Sequence, residues 1–226
     1  MKKFSLMVFA SVLAFGLIFV NACGFAGFNN FNNGIQGSGT AKSETRNVSG
    51  FSKIDAGGAI HMEISSGKDF AVTLEADDNL LEHIKTDVSG DTLKIYTQDR
   101  ISPKTNINIK ISMPELKGLD VSGASSANVS NAKTETLELE ASGASKIKLD
   151  GEAITFKSNA SGASRIDAEN LRVENAEVEA SGASSTTVSP SGELKANASG
   201  ASNIYYTGEP KNVVKNASGA SSVKKK

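Results

Sequence analysis

The chain has no tryptophan, one cysteine and two histidines among its 226 residues, and aromatic residues make up only 6% of it. A single cysteine excludes an internal disulfide and a cysteine-rich metal site. Two histidines leave little material for histidine-based catalysis. With 24 Lys and Arg against 25 Asp and Glu, the chain also lacks the basic surface of a nucleic-acid-binding protein. The composition points away from an enzyme, and nothing in it calls for a cofactor or a metal.

The first 22 residues have the pattern of a signal peptide. Lys2 and Lys3 form a positive start, and residues 4–20 form a nearly unbroken apolar run. The run leads into the sequence VNAC at residues 20–23, which resembles a bacterial lipoprotein box with a small residue before a lipid-modified cysteine. We therefore predict a lipoprotein signal peptide over residues 1–22 and a membrane anchor at Cys23. An uncleaved anchor helix is the alternative.

The segment after the cysteine is rich in Gly, Asn and Ser and shows no sustained periodicity. This composition is typical of a flexible linker, with a root-mean-square length of about 25 Å for a Gly-rich chain of this size. Residues 23–44 are therefore predicted to be the lipidated cysteine and a tether. The folded domain is predicted to cover residues 45–226.

A tetrapeptide repeat dominates the rest of the chain. Ser-Gly-Ala-Ser occurs six times, beginning at Ser122, Ser142, Ser161, Ser181, Ser199 and Ser218. The copies are 18–20 residues apart. Self-similarity at this period is typical of a solenoid, in which each coil buries its apolar face against its neighbours.

The sequence on both sides of each motif alternates with period two. Leu137, Leu139 and Ala141 share one parity before a motif, and Ile147 and Leu149 share it after the same motif. A period of two predicts strands with one buried face. The predicted fold is therefore an all-β solenoid with coils of about 19–20 residues, regular over residues 116–226 and degenerate over residues 45–115.

The glycine of each motif is predicted to form the corner between two strands. Glycine adopts backbone angles that other residues avoid, and stacked coils are about 4.8 Å apart. A side chain at a corner should therefore meet the coils above and below, with a weaker effect at the end of the solenoid, at Gly219. Serine hydroxyls should bond from coil to coil. Rows of nucleophilic serines are the alternative, but no base recurs beside them. The predicted corners are Gly123, Gly143, Gly162, Gly182, Gly200 and Gly219.

The upstream region carries weaker signals. Residues 54–59 align with residues 119–124, which predicts that residues 51–64 form an atypical first coil. Asp77, Asp78 and Asn79 are predicted to cap a short helical turn. Asp77, Asp78 and His83 are also the only local cluster of metal-ligating residue types, and the capped turn is favoured over a metal site. The three lysines at residues 224–226 are expected to prevent edge-to-edge aggregation.

Several segments resemble a known bacterial family. They are residues 46–51 (RNVSGF), residues 79–81 (NLL), residues 93–95 (LKI), residues 111–116 (ISMPEL) and the Ser-Gly-Ala-Ser array. Over residues 45–222 the chain resembles the auto-transporter adhesins with a head GIN domain, which include many lipoproteins. The resemblance implies a right-handed β-solenoid and adhesion as the function. It supplies no catalytic residues.

Two functions compete at this point. The first is a lipid-anchored module of the cell envelope, an outer-membrane lipoprotein that binds an envelope or extracellular polymer or protein. The alternative is a polysaccharide-processing enzyme on a β-helix, which should cluster Asp, Arg or Lys in one groove. Here the charges alternate, and the glutamates are expected to face Lys146 and Lys148 of neighbouring segments. These glutamates are Glu138, Glu140, Glu177 and Glu179.

Overall fold

The computed structural model describes residues 34–226. The predicted signal peptide, Cys23 and the first part of the predicted tether lie outside the described residues. Regular structure begins earlier than the sequence predicted, because strands form at Ile35–Gln36 and Ala41–Arg46 within or across the predicted tether. All but one residue of the second strand are exposed. It therefore carries no apolar alternation by which the sequence could reveal it.

The described residues form eighteen strands and one short 3-10 helix, which lies between β5 and β6 at Leu81–His83. In the first part of the chain the strands are β1 (Ile35–Gln36), β2 (Ala41–Arg46), β3 (Lys53–Ala56), β4 (Ile60–Ser66), β5 (Ala71–Asp77), β6 (Ile84–Ser89), β7 (Thr92–Thr97), β8 (Ile101–Ser102), β9 (Ile107–Met113) and β10 (Gly118–Val121). In the repeat region they are β11 (Ser126–Ala141), β12 (Lys146–Ala160), β13 (Arg165–Ala180), β14 (Ser185–Pro190), β15 (Glu193–Ala198), β16 (Asn203–Tyr206), β17 (Asn212–Ala217) and β18 (Ser222–Lys225).

Parallel pairing between successive coils builds a β-solenoid, as the repeat predicted. Phe156 pairs with Leu137 of the preceding coil and with Ala176 of the following one. The strands before the corners form a first face, in the order β6, β7, β3, β10, the ends of β11, β12 and β13, then β15 and β17. The strands after the corners form a second face, in the order β2, β5, β9, β4, the starts of β11, β12 and β13, then β14, β16 and β18.

Residues 51–64 are not the first coil of the stack. Ile54 pairs with Leu119 in the register that the alignment predicted. However, β7 and β9 pair in parallel with the outer edges of β3 and β4, so a later piece of chain lies beyond them. The antiparallel strands β5, β2 and β6 then extend these outer edges. At this end of the stack, strands that come later in the sequence (β7 and β9) lie outside strands that come earlier (β3 and β4). A repeat pattern read along the sequence cannot show this change of order.

Inward-facing side chains of one parity fill the core. Ile147 and Ile166 are fully buried in adjacent coils, and Phe156 is the largest fully buried side chain. At the ends of β11, β12 and β13 the core is filled by small side chains, because Ala141, Ala160 and Ala180 are buried and stand in register on successive coils. Small and aliphatic side chains suffice because each coil needs only to fill the narrow space between its own strands and those of its neighbours.

The repeated glycines lie at corners with positive φ, between 68° and 73°. The residue after each of these glycines donates a hydrogen bond to the preceding coil. For example, Ala163 N–H donates to the Gly143 carbonyl at 2.8 Å. A Cβ on Gly162 would lie 2.6 Å from that carbonyl oxygen, and one on Gly219 would lie 2.8 Å from the Gly200 oxygen. The obstruction comes from the preceding coil, which Gly219 also has. The milder effect expected at Gly219 therefore does not follow from the geometry.

In the last four motifs the final serine ties its corner to the preceding coil, whereas the buried hydroxyl of Ser145 has no hydrogen-bond partner within residues 34–226. Ser164 Oγ donates to the Ala141 carbonyl at 3.0 Å, and Ser184 Oγ donates to the Ala160 carbonyl at 2.9 Å. Hydroxyls thus link the coils as expected, but the acceptor is a backbone carbonyl rather than another hydroxyl. These buried serines satisfy backbone groups of the corner, which gives the motif a structural reason for its composition.

The C-terminal end of the solenoid is covered by charged side chains. Lys225 and Lys226 form ion pairs with Glu209 and Glu169. Lys215 stands in register with the buried Ala196, and its Nζ donates to the Tyr206 hydroxyl at 2.9 Å. An inward-pointing charge at the last coil opposes pairing with another strand edge. The terminal lysines could be recognised from the sequence, but Lys215 could not, because its position depends on register.

Candidate functional site

A shallow groove of about 540 Å³ crosses the first face of the solenoid. Strands β7, β3 and β10 and the ends of β11, β12 and β13 contribute its lining. Gly118 lies between Lys53 and Glu138 of the adjacent strands, and it leaves a gap in their row of outward side chains. A Cβ on Gly118 would come within 3.0 Å of the Lys53 side chain. The missing side chain at residue 118 therefore helps to open the groove.

Charges of alternating sign form one of the two outward rows in this groove. Glu138, Lys157 and Glu177 stand in register on successive coils, and Lys195 continues the row. Opposite charges at neighbouring sheet positions attract, by a few tenths of a kcal/mol or more per pair at roughly this spacing. This row is therefore electrostatically balanced.

The second row places three carboxylates side by side. Asp55, Asp120 and Glu140 are consecutive in register on β3, β10 and β11. We call these three residues the acidic row. None of them forms an ion pair within 4.0 Å among residues 34–226. Lys94 stands in register with Asp55 at one end of the row and Asn159 with Glu140 at the other, so Asp120 is the member with a carboxylate on both sides. Like charges directly opposite each other destabilise a sheet, so the charge of Asp120 opposes folding at neutral pH.

The pKa of Asp120 is raised, in agreement with this repulsion. Partial burial raises the pKa of the Asp120 carboxyl, and the charges of Glu140 and Asp55 raise it further. When a carboxyl has a higher pKa in the folded state than in the unfolded state, the protein loses stability as the pH rises. The loss begins near the pKa of the unfolded state, which is about 3.9, and is complete above the pKa of the folded state. The ionised form of Asp120 is therefore a net burden on the fold at neutral pH. Proteins tolerate such local conflicts at functional sites.

Asp120→Asn is expected to stabilise the protein at pH 7, because it removes the central charge of the acidic row. The gain in unfolding free energy should shrink as the pH falls to about 4 and below, where Asp120 is protonated in both states. Urea unfolding at several pH values measures this difference. Glu135→Gln, an exposed glutamate with no ion pair in the described part of the chain, is the control and should change little. A less stable Asp120→Asn protein at pH 7 would contradict the assignment.

The prediction that the glutamates of the first face, such as Glu138 and Glu140, contact Lys146 or Lys148 is wrong. Glu138 and Glu140 lie on the first face, whereas Lys146 and Lys148 lie on the second face beyond the corner. The partner of Glu138 in register is Lys157, which belongs to the next coil. The corner turns the chain between the two strands, so charges close in sequence are separated and charges one coil apart become neighbours.

The predicted cluster of Asp77, Asp78 and His83 does not form a metal site. Asp77 is fully buried, and its carboxylate accepts N–H bonds from Gly39 at 2.6 Å, Lys104 at 2.9 Å and Thr105 at 3.1 Å. His83 Nδ1 instead lies 2.8 Å from Asp99 Oδ2. Within residues 34–226 no three His, Cys, Asp or Glu side chains are placed to share a metal ion.

The predicted helical turn is present, but its predicted cap is not. The 3-10 helix follows at Leu81–His83, and no side chain caps it. The Asp77 carboxylate accepts hydrogen bonds from the backbone amides of Gly39 in one segment and of Lys104 and Thr105 in another. It makes these bonds instead of the predicted capping bonds. Asp77 is thus a tie between distant loops, a role that its local sequence does not reveal.

The corner glycines, which the sequence singled out, lie beside the groove rather than in it. The sequence analysis did not single out Asp55, Asp120 or Gly118 as site residues. A signal for the two aspartates was present, because the alignment of residues 54–59 with residues 119–124 already placed them opposite each other. The register of residue 140, twenty residues further on, then adds the third carboxylate.

The fold and groove define a β-solenoid with a charged outer face, and comparison with known proteins identifies its family. The family model described as "putative auto-transporter adhesin, head GIN domain" matches residues 50–210. The match covers well over half of the chain, so the chain belongs to this family. No curated protein matches the chain.

Several solved structures share the fold. One described as a putative adhesin from Bacteroides fragilis superposes with a TM-score of 0.68 at 23% identity, covering 85% of this chain and 100% of its own. One described as a putative lipid binding protein from Parabacteroides distasonis superposes with a TM-score of 0.55 at 22% identity, covering 84% of this chain and 98% of its own. A putative adhesin from the same species gives 0.54 at 19% identity, covering 84% and 99%. At these identities the likeness shows the fold alone.

The family also points to an envelope or surface protein. In the described part of the chain, no helix combines the length and the apolar character needed to cross a membrane.

Proposed function

We propose that the protein is a lipid-anchored adhesin of the cell envelope, which binds a cationic partner through the acidic row and performs no catalysis. The observation that carries this proposal is the set of three in-register carboxylates without ion-pair partners in residues 34–226. A positively charged group of a partner would relieve their mutual repulsion. Adhesion through a charged outer face also agrees with the family to which the chain belongs.

The anchor supports placement at a membrane. Cys23 is the only cysteine of the chain and follows an apolar segment of signal-peptide type. Its multiple acyl chains would hold the protein firmly, because each buried methylene adds about 0.8 kcal/mol of membrane affinity. An outer-membrane lipoprotein with its solenoid held away from the bilayer is the arrangement that this pattern favours.

Cys23→Ser is expected to abolish incorporation of labelled fatty acid and to release the protein from the membrane fraction. The reason is that serine provides no thiol for the thioether link. Metabolic labelling and fractionation of cells measure both effects. Protease treatment of intact cells then reports whether the wild-type solenoid faces outward. A Cys23→Ser protein that stays in the membrane at the wild-type level would show that residues 4–20 form an anchor helix instead.

Binding by the acidic row is tested with the lipidated protein in phosphatidylcholine vesicles and a fluorescent decalysine peptide. The wild type should recruit the peptide, and added salt should weaken binding because surface charges are screened within about 10 Å at 0.1 M. The double variant Asp120→Asn, Glu140→Gln should bind about two- to tenfold more weakly, as loss of two exposed charge pairs implies. Glu135→Gln is the matched control. Equal recruitment by the double variant and the control would overturn the proposal.

One observation favours the alternative of a polysaccharide-processing enzyme. Asp120 has a raised pKa and lies beside two carboxylates on adjacent strands about 4.8 Å apart. Retaining glycosidases hold their two carboxyl groups about 5–5.5 Å apart, with one pKa raised. The proposed function predicts no release of reducing ends from neutral or acidic polysaccharides. Release that Asp120→Asn abolishes would establish the enzyme instead.

A further inference from the structure

A second cavity, of about 370 Å³, lies on the second face, at the end of the stack where the antiparallel strands join. Side chains of β2, β5, β9, β4 and the start of β11 line it. It shares no lining residue with the groove that contains the acidic row. Its volume lies within the range of about 300–1,000 Å³ that small-ligand sites occupy.

Five polar side chains cross the cavity in one unbroken row. They are Ser43, Glu75, Asn108, His61 and Ser126, and each stands in register with the next across five strands. Ser43 Oγ and Asn108 Nδ2 both donate to the Glu75 carboxylate, each at 3.3 Å. His61 Nδ1 lies 2.7 Å from Ser126 Oγ. We call these five residues the polar row.

A second set of polar side chains lies alongside. Asn128, Glu63, Lys110 and Thr73 are consecutive in register on β11, β4, β9 and β5. Lys110 Nζ is 4.0 Å from Glu63 Oε2, which is a loose ion pair. The cavity therefore presents hydroxyl, amide, imidazole, ammonium and carboxylate groups within two adjacent rows. The two carboxylates and one ammonium leave it with one net negative charge.

The polar row retains hydrogen-bonding capacity toward a ligand. The bonds that Glu75 accepts are long, since typical bonds to oxygen span about 2.7–3.2 Å. The Asn108 side-chain carbonyl accepts from no residue in 34–226, and the His61 ring nitrogen Nε2 likewise has no hydrogen-bond partner there. Donors and acceptors therefore alternate along the row without being saturated by the protein.

We propose that this cavity binds a neutral, hydroxyl-rich ligand such as the end of a glycan chain. A sugar hydroxyl both donates and accepts, which matches a row that offers both kinds of group. Glu63 and Glu75 oppose phosphate, sulfate and uronate groups, while Lys110 opposes a simple cation. This site does not depend on the proposed function, because it uses other residues, another face and an uncharged ligand.

Saturation-transfer NMR on the mature protein tests this site, with maltotriose, xylotriose and triacetylchitotriose as neutral probes and trigalacturonate as the anionic comparison. We expect transfer to at least one neutral trisaccharide at millimolar concentration, and weaker transfer to trigalacturonate. Asn108→Ala and Glu75→Ala should each weaken the neutral interaction about tenfold, the effect expected when a ligand loses a hydrogen bond to an amide or a carboxylate.

Asn170→Ala is the matched control, because Asn170 is an exposed asparagine that lines neither this cavity nor the groove of the acidic row. It should leave sugar binding unchanged, and thermal unfolding of each variant confirms that the solenoid remains folded. The proposal is overturned if no neutral trisaccharide shows transfer, or if trigalacturonate binds more tightly than all three. It is also overturned if folded Asn108→Ala and Glu75→Ala proteins bind as well as the control.

Discussion

Asp77→Ala is expected to cause one of the largest losses of stability among single substitutions in the protein. The substitution removes the acceptor of three backbone N–H groups, those of Gly39, Lys104 and Thr105. These bonds are partly buried, and an N–H left without an acceptor costs up to about 1–3 kcal/mol when it is buried. A domain typically has only about 5–15 kcal/mol of net stability, so a large shift of the urea midpoint should result.

Asp77→Asn separates the charge of Asp77 from its shape. Burial alone would raise the pKa of the Asp77 carboxyl, but the N–H donors of Thr105, Gly39 and Lys104 outweigh burial and lower it. The stabilisation by ionised Asp77 is therefore present above its unfolded pKa, about 3.9, and is lost as the pH falls toward the lower folded value. The difference in unfolding free energy between wild type and Asp77→Asn should shrink below about pH 4. A difference that grows on acidification would refute this assignment.

Ile166→Asp is the second substitution for which we expect a very large effect, namely loss of the folded domain. Ile166 is fully buried, and Ile147 and Thr186 stand in register with it on the adjacent coils. An ionised carboxylate there would meet a single polar group on the adjacent coils, the buried hydroxyl of Thr186, which is too little to replace its water, and burial of such a poorly compensated charge is among the most costly changes. Circular dichroism and urea unfolding of the purified variant report the outcome.

Arg165→Asp is the matched control for the buried substitution. It introduces the same carboxylate one residue earlier, on the exposed side of the same strand. Exposed substitutions usually change stability by about 0.5 kcal/mol or less. Strong destabilisation by Arg165→Asp together with a small effect of Ile166→Asp would mean that the inward and outward parities of β13 have been exchanged.

The regular part of the fold could be predicted because its information is local and repeated. Alternating side chains around Ile147 and Ile166 reveal the buried face, and the glycine of each motif marks a corner. The same strand register then recurs from one coil to the next. The β-solenoid follows from these repeated patterns with little need for long-range information.

The parts that escaped prediction depend on contacts between distant segments. Asp77 bonds to residues 39, 104 and 105, and no local pattern indicates those partners. His61 meets Ser126, sixty-five residues away, only because β4 and β11 pair in one particular register. The two aspartates of the acidic row were within reach from the alignment of residues 54–59 with residues 119–124. The significance of the row appeared only when the expected lysines proved to lie on the other face.

The central claim is that the acidic row on the first face is the contact surface for a cationic partner. Titration of the ¹⁵N-labelled mature protein with unlabelled decalysine, followed by the backbone amide signals, tests it most directly. We expect the largest shifts near Asp55, Asp120 and Glu140, and an affinity about two- to tenfold lower in the Asp120→Asn, Glu140→Gln variant. Shifts confined to the second face, or shifts near residue 120 with undiminished affinity in the double variant, would contradict the claim.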